Sequence, residues 1–129
     1  MSNRMHNSSN PHQGDAKRVL CVCSAGLLRS PTASHVLHGE FGYNTRAVGV
    51  DIGHALIPID DVLINWADEI VVMDEYQKQQ VIRIDPDLDE QIVSDKIIVL
   101  NVPDNYEYMN EKLQEIILRK YKQLTEKQT

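Results

Sequence analysis

The sequence predicts an α/β fold in three layers: a doubly wound, four-stranded parallel sheet with helices on both faces. Two observations lead there. Short runs rich in β-branched residues alternate with segments of helical period along the chain, the pattern left by strand–helix–strand crossovers and therefore by parallel pairing. The first run, Val19-Leu20-Cys21-Val22-Cys23, is apolar at consecutive positions, as a strand covered on both faces must be. A chain of 129 residues, 42% apolar and 25% charged, has room for one such domain, and it contains no internal repeat.

Charge and cysteine content narrow the function classes. A formal net charge of -6 argues against a protein that grips a nucleic-acid backbone, which needs a basic face. Two cysteines one residue apart do not make the disulfide framework of a small secreted protein, so a reducing, cytoplasmic setting is expected. No apolar run approaches the roughly 18 residues of a membrane span, so no membrane partner is expected.

In chain order, residues 1–17 carry Ser, Asn, Gln, His, Pro and Gly with almost no large apolar side chain. Burial cannot offset their ordering entropy, and a disordered tail is expected, with the single domain over residues 18–129. His6 and His12 lie in that tail without a third ligand at a recognisable spacing, so no metal site is assigned. Arg18–Cys23 is the first strand. Ser30 then suits an N-cap and Pro31 the first helical position, while Ala33, Val36, Leu37 and Phe41 recur at helical spacing until Gly42. Residues 44–50 form the second strand, and Asp51 and Gly53 the loop after it. Pro58 and Asp60 open a short helix whose apolar face is expected to be Val62, Leu63 and Trp66, with Trp66 a core anchor. Residues 69–73 are the third strand, ended by Asp74, which caps a helix carrying Tyr76, Val81 and Ile82. Residues 83–94 read as a solvated acidic turn lacking the spacing of a calcium loop. Residues 96–102 are the fourth strand, stopped by Pro103. Met109, Leu113, Ile116, Ile117 and Leu124 then line one side of a closing helix.

Open parallel sheets bind ligands beyond the carboxyl ends of their strands. That edge gathers the loop after Cys23 and the loop after Val102. Cys23 precedes a small-residue loop and a helix N-terminus, with Arg29 adjacent, and both the helix end and the guanidinium favour negative charge on sulfur. The backbone N–H groups of Ser24, Ala25, Gly26, Leu27 and Leu28 can form a concave nest for phosphate oxygens, and Arg29 can grip two oxygens with its planar fork. Ser30 can donate to the sulfur or cap the helix. Phosphate transfer to a thiol also requires an acid for the leaving oxygen and a base for water. Asp104 lies at the right edge for both tasks, with Asp51 and Asp74 as alternatives, whereas Asp95 precedes a strand and belongs at the opposite edge. Tyr106 can line a slot for an aryl phosphate. Cys21, two residues before Cys23 on one strand, reads as a core residue, since a bridge between them would be strained.

The Cys-x5-Arg spacing of Cys23 and Arg29, followed by Ser30-Pro31-Thr32-Ala33, resembles the low-molecular-weight protein tyrosine phosphatase family. Trp66-Ala67-Asp68 with Val72-Met73-Asp74, and Pro103-Asp104-Asn105-Tyr106-Glu107-Tyr108-Met109, are similar to later family segments, the last to its short bacterial and viral branch. The likeness runs in order over roughly residues 18 to 120. It implies a phosphatase-like sheet in the order 2-1-3-4, Cys23 as nucleophile, Arg29 as clamp and Asp104 as general acid and base. It also implies hydrolysis of a phosphorylated protein or small aryl phosphate without metal or other cofactor. Three positions depart from the pattern. Ala25 and Gly26 stand where family loops commonly carry glycine and then asparagine, and Leu28 stands where many members have a second cysteine. His54 resembles a histidine that some members place behind the loop. Three other readings use the same loop. Arsenate reduction needs further cysteines, and none follows Cys23. A sugar-transport phosphocarrier must keep its phosphocysteine from water, against which Arg29 and Asp104 argue. A noncatalytic phosphopeptide-binding module, which keeps nest and arginine without turnover, is the main alternative.

Overall fold

In a computed structural model of the chain, residues 16–24, 29–50, 57–84, 87–103 and 109–126 are described. The elements run β1 (Arg18–Cys23), α1 (Arg29–Phe41), β2 (Asn44–Gly49), α2 (Asp61–Trp66), β3 (Glu69–Val72), α3 (Glu75–Ile82), α4 (Glu90–Asp95), β4 (Ile97–Val99) and α5 (Glu111–Glu126). The sheet has four strands in the order β2-β1-β3-β4, all paired in parallel. Both the class and the order match the expectation from sequence. Cys23 stands beside Gly49 of β2, and Val22 lies beside Val72 of β3, so the carboxyl ends of the inner strands reach one edge together.

Alternation of side chains along each strand divides the core in two. Val19, Cys21 and Cys23 of β1 and Val71 of β3 face Ala33 and Leu37 of α1 and Leu113, Ile117 and Tyr121 of α5. Leu20 and Val22 of β1 with Ile70 and Val72 of β3 face Ile64 of α2, Val81 of α3 and Val93 of α4. This explains the unbroken apolar runs: every residue of β3 and all but Arg18 of β1 are buried. The sheet is therefore the middle of three layers.

Several elements differ from expectation. The residues read as an acidic turn contain a helix, α4, capped by Asp89, whose carboxylate accepts from the N–H groups of Gln91 and Ile92. In α2 the buried residue is Ile64, while Val62 is exposed. Leu63 packs partly buried against the same core cluster, as expected, so the expected face departs at Val62 and gains Ile64. Trp66 is half-buried against the second core cluster, and the Arg46 guanidinium lies 5.3 Å from its ring centre. Tyr76 points outward. Lys17, assigned to the tail, is tied to the domain: its ammonium lies 2.9 Å from Glu69 Oε2. Glu69 Oε1 in turn accepts from the Tyr121 hydroxyl at 2.6 Å, so the buried carboxylate at the start of β3 has a partner on each oxygen.

Candidate active site

The carboxyl edge of the sheet is built by β1, β3 and the chain that leaves β4, with α1 starting beside them. Cys23 ends β1 and is 4% exposed. Its thiol donates to Ser30 Oγ at 3.1 Å, and that hydroxyl donates to the Val48 carbonyl at 3.2 Å. The sulfur thus lies against the first turn of a 13-residue helix, the end at which a helix macrodipole favours an anion.

Arg29 opens α1 and is nearly enclosed. Its Nη1 donates to the Val102 carbonyl at 2.9 Å and lies 3.9 Å from Asp74 Oδ2. The backbone beyond β4 is shaped to bring that carbonyl in. Asn101 takes a left-handed conformation, with φ 58°, which asparagine tolerates better than most side chains. The Lys120 ammonium holds the Asn101 carbonyl. Ser24, Arg29, Met73, Asp74, Asn101, Val102 and Pro103 line an open cavity of about 450 Å³.

The structure therefore brings together Cys23, Ser24, Arg29 and Ser30 of the predicted set, with Asp74 at the rim. Ala25, Gly26, Leu27, Leu28, Asp51, His54, Asp104 and Tyr106 lie outside the described residues. Pro103 lines the cavity, and the Met109 N–H donates to Thr32 Oγ1 on the first turn of α1 at 3.2 Å.

Cys21 is a free, fully buried thiol, as the reading of it as a core residue required. Burial, then the charges of Glu69 and Cys23, push its proton affinity far above the ordinary thiol range. Such a group is inert towards exchange at neutral pH. Among the described residues, no cluster of three or more His, Cys, Asp or Glu side chains could hold a metal. No described helix is long and apolar enough to cross a membrane.

Sequence reasoning missed Gln77. It is fully buried in the first turn of α3, where its Oε1 accepts from the Met73 N–H at 2.8 Å and its Nε2 donates to Ser24 Oγ at 3.4 Å. The available signal was Asp74-Glu75-Tyr76-Gln77, an N-cap followed three residues later by glutamine, as in a capping box. Half of that box is present, since Asp74 Oδ1 accepts from the Gln77 N–H at 2.9 Å.

No protein-family model matches the chain, and no curated protein matches it. Solved structures do. The tyrosine phosphatase Wzb from Escherichia coli K30, in complex with phosphate, superposes with a TM-score of 0.66 at 18% identity, over 87% of this chain and 98% of that one. The YwlE arginine phosphatase from Geobacillus stearothermophilus gives 0.62 at 18% identity, over 87% and 95%. A low-molecular-weight phosphotyrosine phosphatase from Vibrio cholerae gives 0.60 at 20% identity, over 81% and 90%. Strand order, end-to-end coverage and these superpositions agree: the chain has the fold of the low-molecular-weight tyrosine phosphatases.

Proposed function

We propose that the chain is a cysteine-dependent phosphatase that hydrolyses phosphate monoesters, phosphotyrosine foremost, through a phosphocysteine on Cys23. The observation that carries this reading is the position of the Cys23 sulfur. It lies at the end of a central strand, against the N-terminal turn of α1 and 3.1 Å from Ser30 Oγ, with Arg29 on the wall of the adjoining cavity.

The chemistry follows in two steps. The Cys23 thiolate attacks phosphorus, forming the P–S bond as the P–O bond to the leaving group breaks, and the leaving oxygen takes the proton of Asp104. Water, deprotonated by Asp104, then attacks phosphorus and the P–S bond breaks, restoring the thiolate and releasing phosphate. Arg29 neutralises charge on the equatorial oxygens throughout. Ser30, whose oxygen accepts from the neutral thiol, reverses its proton towards the thiolate and eases sulfur's departure. Pro103, the residue before Asp104 in sequence, lines the cavity, which supports the role of that aspartate. Ser24 to Leu28 cradle the phosphate through their N–H groups, and Tyr106 packs on the substrate ring. No metal takes part.

The substrate is a phosphorylated protein or a small aryl phosphate. Because an arginine phosphatase shares the fold, phosphoarginine belongs in the substrate panel. Two cysteines outside any disulfide suit a reducing cytoplasm.

Purified protein is expected to hydrolyse an aryl phosphate after treatment with chelator. Cys23→Ser should abolish turnover while retaining affinity for inorganic phosphate. Asp104→Asn should lower kcat by about 10²–10⁴-fold, the usual weight of a general acid. Wild-type protein that binds phosphate without turnover across roughly pH 5 to 8 would instead establish a noncatalytic binding module. Phosphate stably retained on Cys23 would establish a carrier.

A further inference from the structure

We propose that Gln77 is a positioning residue, whose amide ties Ser24 to the end of β3 and so fixes the start of the phosphate loop and the direction of the Cys23 sulfur. The inference rests on the phosphatase reading. Glutamine is seldom fully buried, and an amide withdrawn from water without hydrogen-bond partners is destabilising. Gln77 is nonetheless completely enclosed, and both ends of its amide are used. The oxygen accepts from the Met73 N–H at 2.8 Å, anchoring the side chain to backbone that leaves β3. The nitrogen reaches Ser24 Oγ at 3.4 Å, across 53 positions of sequence. Leucine would fill the same space. An amide joins two polar groups that would otherwise be independent.

The same turn of α3 also reaches the other border of the loop. Asp74 places one carboxylate oxygen on the Gln77 N–H at 2.9 Å and the other 3.9 Å from Arg29 Nη1. Ser24 and Arg29, the residues on either side of 25–28, thus both face one helical turn. Misplacement of a reacting group by about 1 Å can cost 10²-fold in rate, so a brace at this position acts on turnover.

The test is a double-mutant cycle on aryl phosphate hydrolysis with wild type, Gln77→Leu, Ser24→Ala and the double variant, each with its melting temperature. Gln77→Leu should lower kcat by about 10-fold or more with a smaller change in KM. In the Ser24→Ala background the same substitution should cost little further, because both changes cut one contact. Wild-type kcat in Gln77→Leu, or fully multiplicative losses in the double variant, would overturn the inference and leave the phosphatase reading standing. If Gln77→Leu does not fold, Gln77→Met replaces it, since methionine keeps the unbranched length of the side chain and has no N–H to donate to Ser24. If wild type binds phosphate without turnover, inorganic phosphate affinity is read across the same cycle, and equal affinities would overturn the inference. Wild type that neither turns over nor binds phosphate overturns both.

Discussion

Cys21 and Cys23 share a strand and a face, yet their surroundings differ. Cys23 meets a hydroxyl and the end of a helix, whereas Cys21 is enclosed by apolar side chains. Burial, reinforced by Glu69 and Cys23, raises the Cys21 thiol well above its ordinary value. Tyr121 is raised in the same direction, by burial and then by its hydrogen bond to Glu69. Above the ordinary thiol value of about 8.5, the unfolded chain releases the Cys21 proton while the folded chain keeps it, so stability falls as pH rises. Melting temperatures of wild type should decline through the alkaline range, steepening near the ordinary tyrosine value of about 10. Cys21→Ala should flatten the first part of that decline, and a profile identical to wild type would show that Cys21 is not its source. The same burial that makes Cys21 a liability in base keeps its thiol protonated and out of reach of solvent at neutral pH.

At the scale of elements, three short helices depend on the aspartates that precede them. Asp60 accepts from the Leu63 N–H at 2.9 Å, Asp74 from the Gln77 N–H at 2.9 Å, and Asp89 from the Gln91 N–H at 2.8 Å. α4 has six residues and buries only Val93, so its cap is a large share of what holds it. Asp89→Ala should cost about 1 kcal/mol in urea denaturation without altering turnover, since α4 lies away from the cavity. This helix also marks a limit of what could be read from sequence. Its acidic residues resemble a solvated turn, and one buried side chain in six leaves no period to detect. The longer elements were plain because their burial repeats: β1 is apolar at every inner position, and α5 buries Leu113, Ile117 and Tyr121 at every fourth residue. The candidate site divides in the same way. Cys23, Arg29 and Ser30 announce themselves because they lie within one loop-helix junction, whereas the Val102 carbonyl and Gln77 join them from 73 and 53 positions away. No local spacing encodes such contacts, although the capping pattern at Asp74 hinted at one end of the second.

For the whole molecule, stability rests on two apolar layers separated by one sheet. α5 closes the first of them through Leu113, Ile117 and Tyr121, which are almost completely buried. Ile117→Ala should therefore lower the unfolding free energy by about 2–5 kcal/mol, the range for large-to-small changes in a packed core. Phosphate affinity should persist below the transition, because the cavity lies at the edge of the sheet and Ile117 does not line it. A loss of affinity in folded Ile117→Ala protein would show that α5 reaches the site through more than the Lys120 bond to Asn101.

The hydrogen bond from Arg29 to Val102 spans 73 positions, and that separation sets an order of events. Contacts between distant segments form only after the loop between them has closed, which makes parallel sheets slow to assemble. A nascent chain exposes the thiol and guanidinium of residues 23 and 29 well before residue 102 has been synthesised. The Arg29 guanidinium is therefore made well before the Val102 carbonyl that receives it, and the contact between them waits on the closure of the sheet.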